Sequence, residues 1–105
     1  MIILTFSLLR RRGIALFPFI LLKSKNDILD VALINHEKIH IRQQLELLVL
    51  PFYLIYGVNY LYNLIQQADH ETAYRNIIFE KEAYDHESEP GYLKQRKLFS
   101  FLSYL

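Results

Sequence analysis

The stretch ILDVALINHEKIHIRQQLELLVL, residues 28–50, decides how this chain is read. Ser24-Lys25-Asn26-Asp27, immediately before it, offers side chains that accept hydrogen bonds from the free amides of a first helical turn. A long helix is therefore expected to begin near Asp27 or Asp30, and to stop or kink before Pro51, since the residue preceding a proline is pushed out of the α region. In the middle of that helix stands His36-Glu37-Lys38-Ile39-His40. Residues four apart lie one above the other on a helix face, so both imidazoles can converge on one ion at a zinc–nitrogen distance of roughly 2.0 to 2.1 Å. Glu37 is displaced by about 100° round the helix and flanks that ion instead of ligating it, the position of a general base. With four His and seven Glu in 105 residues, chance gives such a pattern with an expectation on the order of 0.01, so the match is specific.

Upstream, Ile2 to Leu8 and Ile14 to Lys23 are rich in β-formers and are separated by Leu9-Arg10-Arg11-Arg12-Gly13, which predicts a hairpin. Pro18 confines the second run to an edge strand or a bulge, because proline cannot donate to a ladder. Downstream, a second helix is expected from about Pro51 to Gln67, with Ala68-Asp69-His70-Glu71 as the connection to a third over Glu71 to Glu87. Ser88-Glu89-Pro90-Gly91 closes that helix. Tyr92 to Leu105 places Leu98, Leu102 and Leu105 on one side of a short amphipathic helix, expected to pack on the core. The sum is an α+β fold: a short N-terminal β-hairpin followed by three to four helices, in one domain over residues 1–105.

Composition narrows the function. A hydrophobic fraction of 52% excludes disorder for most of the chain. The absence of cysteine excludes disulfide frameworks, Cys-based zinc fingers and thiol catalysis, so a metal site must use His, Asp or Glu. A net charge of +1 argues against a nucleic-acid partner. Arg10-Arg11-Arg12 and the cluster Lys94, Arg96 and Lys97 read as solvated basic groups. Leu47 to Ile65 runs without a charge and reaches the length of a transmembrane helix. Its Pro51, Gly57, Asn59, Asn63 and tyrosines favour a helix buried in protein, with membrane contact through residues 47–65 as the second expectation. MIILTFSLLRRRG lacks the order of charge and apolar run of a secretory leader, so no signal peptide is expected and the compartment, cytoplasmic or membrane-associated, stays open.

A catalytic zinc site needs a third protein ligand. Glu46 follows His40 on the same helix, His70 and His86 are the remaining histidines, and Phe79-Glu80-Lys81-Glu82-Ala83-Tyr84 offers carboxylates on a separate helix. The pair His36-Glu37-x-x-His40 and Glu80-x-x-Ala83 resembles the gluzincin class of zinc metallopeptidases, in which a second, glutamate helix lies beside the active-site helix. The resemblance spans about Asn35 to Tyr84. The run from Asn35 through Arg42-Gln43-Gln44 is also similar to small uncharacterised metallopeptidase-like proteins.

The resemblance implies a zincin-like fold with zinc as cofactor, Glu80 as third ligand, and Glu82 and Glu87 as the alternatives. It places Tyr84 where the class has an aspartate that orients a ligand His, with Asp85 adjacent. The implied reaction is hydrolysis of a peptide or protein substrate, with Glu37 taking the proton of a water on the ion and passing it to the leaving amine. A substrate strand would lie antiparallel to the edge strand Ile14 to Lys23. Tyr74, Tyr84, His70 and His86 are candidate donors to the oxyanion. The alternative is a non-catalytic interaction module, membrane-associated or oligomeric, that keeps the scaffold and uses the metal as a structural staple.

Overall fold

The Asp30 carboxylate accepts the Leu33 amide at 3.1 Å and starts helix α1, Val31–Leu47. The computed structural model describes residues 2–67 and 69–105. Asp27 belongs instead to a 3-10 helix, Lys25–Leu29, capped by Ser24. Three residues ahead of Pro51 the chain turns at Leu48, whose φ of 65° lies in the left-handed region and ends α1. Helix α2, Val49–Gln67, leaves at a bend of 111°, with Pro51 in the first turn where its missing amide costs no hydrogen bond.

The N-terminal strands differ from a simple hairpin. There are three, β1 (Ile2–Thr5), β2 (Gly13–Leu16) and β3 (Phe19–Leu22), in the order β1-β3-β2. The run Ile14 to Lys23 folds back on itself at Phe17-Pro18, a place that needs no ladder donor, so β2 and β3 make the antiparallel pair. β1 then lies parallel to β3 on its other side. Ala15, Ile20 and Leu22 pack with Ile41 as the core between sheet and α1. β2, not the whole run, is the sheet edge beside α1.

The helix expected over Glu71 to Glu87 is two, α3 (His70–Arg75) and α4 (Ile78–His86). Asp69 caps α3 by accepting the Thr72 amide at 2.9 Å; Ala68, placed in the same connection, lies outside the described residues. Asn76 ends α3 by donating its side-chain amide to the Thr72 carbonyl at 2.8 Å, and Ile77 is extended. The break turns Ile77, Ile78 and Phe79 together into a second core with Phe52 and Phe101.

The segment after Gly91 is a single turn, α5 (Tyr92–Gln95), then a 3-10 helix, Ser100–Tyr104. Leu98, Leu102 and Leu105 are exposed, against expectation, and Phe101 is the buried residue. The three leucines share a side only if the helix is continuous, and the left-handed Phe99 interrupts it.

Residues 47–65 also depart from the expected buried helix. Phe52 is buried, while Leu50, Leu54, Val58, Leu61 and Ile65 are 57–82% exposed. The polar groups face inward: Asn59 accepts the Ile78 amide at 2.8 Å and Asn63 donates to the Ala73 carbonyl at 3.1 Å. Among the described residues no single helix is long and apolar enough to cross a membrane.

Candidate metal centre

Helix α1 puts His36 and His40 on one face with their Nε2 atoms 3.2 Å apart. Helix α4, crossing behind it, brings the Glu80 Oε1 to 3.1 Å from the first and 2.9 Å from the second. All three side chains are buried, and they form the group able to hold a metal ion among the described residues. Tetrahedral ligands at about 2.0 Å from an ion lie roughly 3.3 Å from one another, close to these separations.

The remaining ring nitrogens decide what the cluster offers. Gln43 donates its amide nitrogen to the Phe79 carbonyl at 3.1 Å and to Glu82 at 2.9 Å. Its oxygen is therefore the atom facing the His40 Nδ1 at 2.7 Å, and that nitrogen carries the proton. The His36 Nδ1 donates to Glu87 at 2.7 Å. Both rings then present Nε2 lone pairs to the Glu80 carboxylate. Three acceptors converge with no donor between them, an arrangement that a cation relieves. Without a metal, a proton must serve. Burial opposes charge on His40, but the Glu80 carboxylate outweighs it and lifts the imidazole to about 9. Burial pushes Glu80 up, and the imidazoles more than reverse this, holding it well below the usual carboxylate range. Tyr56 donates to the second Glu80 oxygen at 2.6 Å, leaving Oε1 to the cluster.

Glu82, an alternative ligand by sequence, faces away. It meets Arg96, whose side chain is 0% exposed and whose guanidinium also reaches Glu46 at 2.6 Å. Arg96 is thus an interior cation and not a solvated one, and a chain of contacts runs Arg96–Glu82–Gln43–His40. Glu87, the other alternative, orients His36 instead of ligating. Asn35 makes this possible, since its amide nitrogen reaches the carbonyls of His86, Glu87 and Glu89 at 2.9–3.1 Å and anchors the end of α4.

Tyr84 packs its ring on His36, with centroids 4.4 Å apart, under the Arg75 guanidinium. Asp85 is exposed and accepts from Tyr104 at 2.7 Å. Neither hydrogen-bonds His36 or His40; the His36 Nδ1 is held by Glu87, farther along the chain. His70 pairs with Tyr60 and His86 stacks on Tyr92, both away from the cluster.

Glu37 is buried, and its carboxylate makes no hydrogen bond among the described residues. Burial pushes its carboxyl up, against the pull of the two imidazoles. It lies against Gly13, where a Cβ would sit 3.2 Å from Oε2, so a side chain there would crowd the carboxylate. Two adjoining cavities of about 230 Å³ each open beside it and share Arg11, Gly13, Glu37 and Tyr74. His40 and Glu80 border the first, and Tyr84 the second. Arg11, expected to be solvated, lies over the Tyr74 ring at 3.8 Å and pairs with Glu71.

Gln43, Asn35, Tyr56 and Arg96 are not legible as site residues, and Glu87 is legible only as an alternative ligand, not as the group that orients His36. The adjacent Arg42-Gln43-Gln44 run was the one available signal, because amides on the buried face of a helix require partners. Compared with protein families, curated proteins and solved structures, the chain matches no family model, no curated protein and no solved structure.

Proposed function

We propose that this chain is a minimal zinc peptidase of zincin-like, gluzincin-type arrangement, with His36, His40 and Glu80 as ligands and Glu37 as general base. One observation carries the reading: three lone pairs converge between α1 and α4, beside a buried carboxylate that opens on a cleft and has no partner among the described residues. The donor set of two imidazoles and one carboxylate suits zinc in a hydrolytic site. Zinc supplies Lewis-acid polarisation of a carbonyl and lowers the pKa of bound water toward 7. Glu37 takes a proton from the attacking water and delivers it to the leaving nitrogen as the C–N bond breaks, yielding a carboxylate and an amine. Its upward shift suits a group that must both accept and return a proton. Arg11 and Tyr74, which line both cavities with Glu37, supply a cation and a hydroxyl for the developing oxyanion. His70 and His86, outside the cleft, take no part.

A second reading, an interaction module with a structural metal, rests on the exposed aliphatic side of α2. It covers membrane association through residues 47–65. The two are separated by elemental analysis beside peptidase assays. Wild type is expected to hold about one zinc per chain, and Glu80→Ala to lose it. Glu37→Gln is expected to keep zinc and lose turnover by at least about a hundredfold. Folded wild type without zinc would overturn the proposal, and zinc without hydrolysis of any peptide would favour the second reading.

A further inference from the structure

The edge strand β2 alternates its main-chain groups between β3 and the cleft. The Lys23 amide donates to the Arg12 carbonyl at 2.9 Å, and the register continues Gly13↔Leu22, Ile14↔Leu21, Ala15↔Ile20. Bonded and non-bonded pairs alternate in an antiparallel ladder. Ile14 and Leu16 therefore address β3, while Gly13, Ala15 and Phe17 turn their groups outward, where a substrate strand would add.

Part of that edge is taken by side chains. The Ala15 carbonyl accepts from the Gln44 amide at 2.9 Å and from the Tyr53 hydroxyl at 2.6 Å. The Phe17 amide donates to the Gln44 carbonyl oxygen at 2.8 Å. Gln44, almost wholly buried, thus fills one donor and one acceptor as a neighbouring strand would. What remains facing the cleft is Gly13 and the Ala15 amide, next to Glu37.

We propose that the site takes short peptides, and that Gln44, seconded by Tyr53, sets this specificity by ending the substrate-binding edge at Ala15. The inference rests on the peptidase reading. An extended chain advances about 3.3 Å per residue and addresses a given neighbour with every second residue. The free edge therefore orders about two or three residues of substrate. Phe52, Tyr53 and Tyr56 wall the same cavity, whose 230 Å³ is small for a peptide site. A long unfolded chain has nothing to pair with past Ala15.

The test uses the zinc-loaded full chain and nested peptides of one sequence, about three to ten residues long, beside an unfolded protein. Hydrolysis is read as kcat/KM, and binding is read separately by calorimetry on zinc-loaded Glu37→Gln. Both are expected to level off at about three or four residues, with the unfolded protein cut at least tenfold more slowly. Gln44→Ala is expected to raise the long-to-short ratio about tenfold, and Tyr53→Phe to raise it less. Should Gln44→Ala fail to fold, Tyr53→Phe and the wild-type length series carry the test. Affinity that keeps growing to ten residues, with internal cleavage of the unfolded protein, overturns the length rule and leaves the peptidase standing. An unchanged ratio in folded variants overturns the role of Gln44. Neither binding nor hydrolysis of any peptide overturns the peptidase reading, and the length rule with it.

Discussion

The space between α1 and α4 and the outer side of α2 invert the usual distribution of polarity. Between α1 and α4 lie His36, His40, Gln43, Glu80 and Glu82, all buried, with Glu37 buried beside them against Gly13 and the Arg96 side chain fully enclosed behind them. Along α2, aliphatic side chains from Leu50 to Ile65 stand exposed. Burying that many polar groups is costly unless each is paired. Here every fully enclosed side-chain nitrogen and oxygen has a partner among the described residues, and the Glu37 carboxylate, which has none, opens on the cleft. The comparison teaches that the interior of this small chain is arranged to hold a site, with its apolar packing moved to two satellite clusters.

The largest effect is expected where the polar interior is broken from one side. Arg96→Met strands Glu46 and Glu82 as buried carboxylates, and loss of one partner from such a network costs about 3 to 5 kcal/mol. Urea unfolding of the metal-free protein reads this directly. Replacing all three by apolar residues of similar volume should restore most of the loss, and failure to do so would mean that the network is held by more than mutual compensation.

The next effect is a pH dependence. In metal-free protein the His40 imidazole is raised from 6.5 to about 9. Its contribution is fully present below about 6.5 and is lost as pH rises through about 9. Glu37, also raised, moves the same way, whereas Glu80, held low, contributes above its ordinary 4.5 and fades in acid. Stability of the metal-free form is therefore expected to fall between pH 6.5 and 9, read by thermal melts. Zinc replaces the proton, so loaded protein should lack that alkaline decline. A decline of equal size in both forms would break the link between the cluster and the ion.

A smaller effect separates residues that hold the ligands from one that only packs on them. Glu87→Ala and Gln43→Ala each release an imidazole Nδ1 and are expected to weaken zinc binding 10- to 100-fold. Tyr84→Phe keeps the ring on His36 and should leave affinity nearly unchanged. Competition against a chromophoric chelator gives all three, and a loss in Tyr84→Phe matching that of Glu87→Ala would return the orienting role to Tyr84.

What the sequence disclosed and what it hid follow one physical division. The α1 helix and its two histidines were legible because capping at Asp30 and the four-residue spacing are local. Glu80 was reachable through the likeness of Glu80-x-x-Ala83 to a known motif. Glu87 was not recognised as the orienting group, because its reach to His36 depends on Asn35 anchoring the end of α4 across some fifty residues. Arg96 looked like a surface charge because nothing near it in sequence announces Glu46 and Glu82. Periodicity ran through Asn76 without registering that its side chain competes for the Thr72 carbonyl, and so joined α3 to α4. The parallel pairing of β1 with β3 is a register between distant segments that composition does not encode. The tail leucines failed as core markers for the same reason, since a single left-handed residue at Phe99 resets the face that follows.

The smallest effect tests the other half of the comparison. If the outer side of α2 stands clear of the fold, as Asn59 and Asn63 facing inward suggest, polar substitution there removes no packing. Leu54→Gln and Ile65→Gln should each change unfolding stability by no more than about 0.5 kcal/mol, the range of ordinary surface substitutions. Phe52→Ala, on the inner side of the same helix, should cost about 3 to 5 kcal/mol, because it empties a cluster shared with Phe79 and Phe101. Urea unfolding of the three variants side by side sets the contrast within one element. A loss above about 2 kcal/mol in Leu54→Gln would show that this side is covered when the protein is folded, and would tie the stability of the chain to whatever covers it.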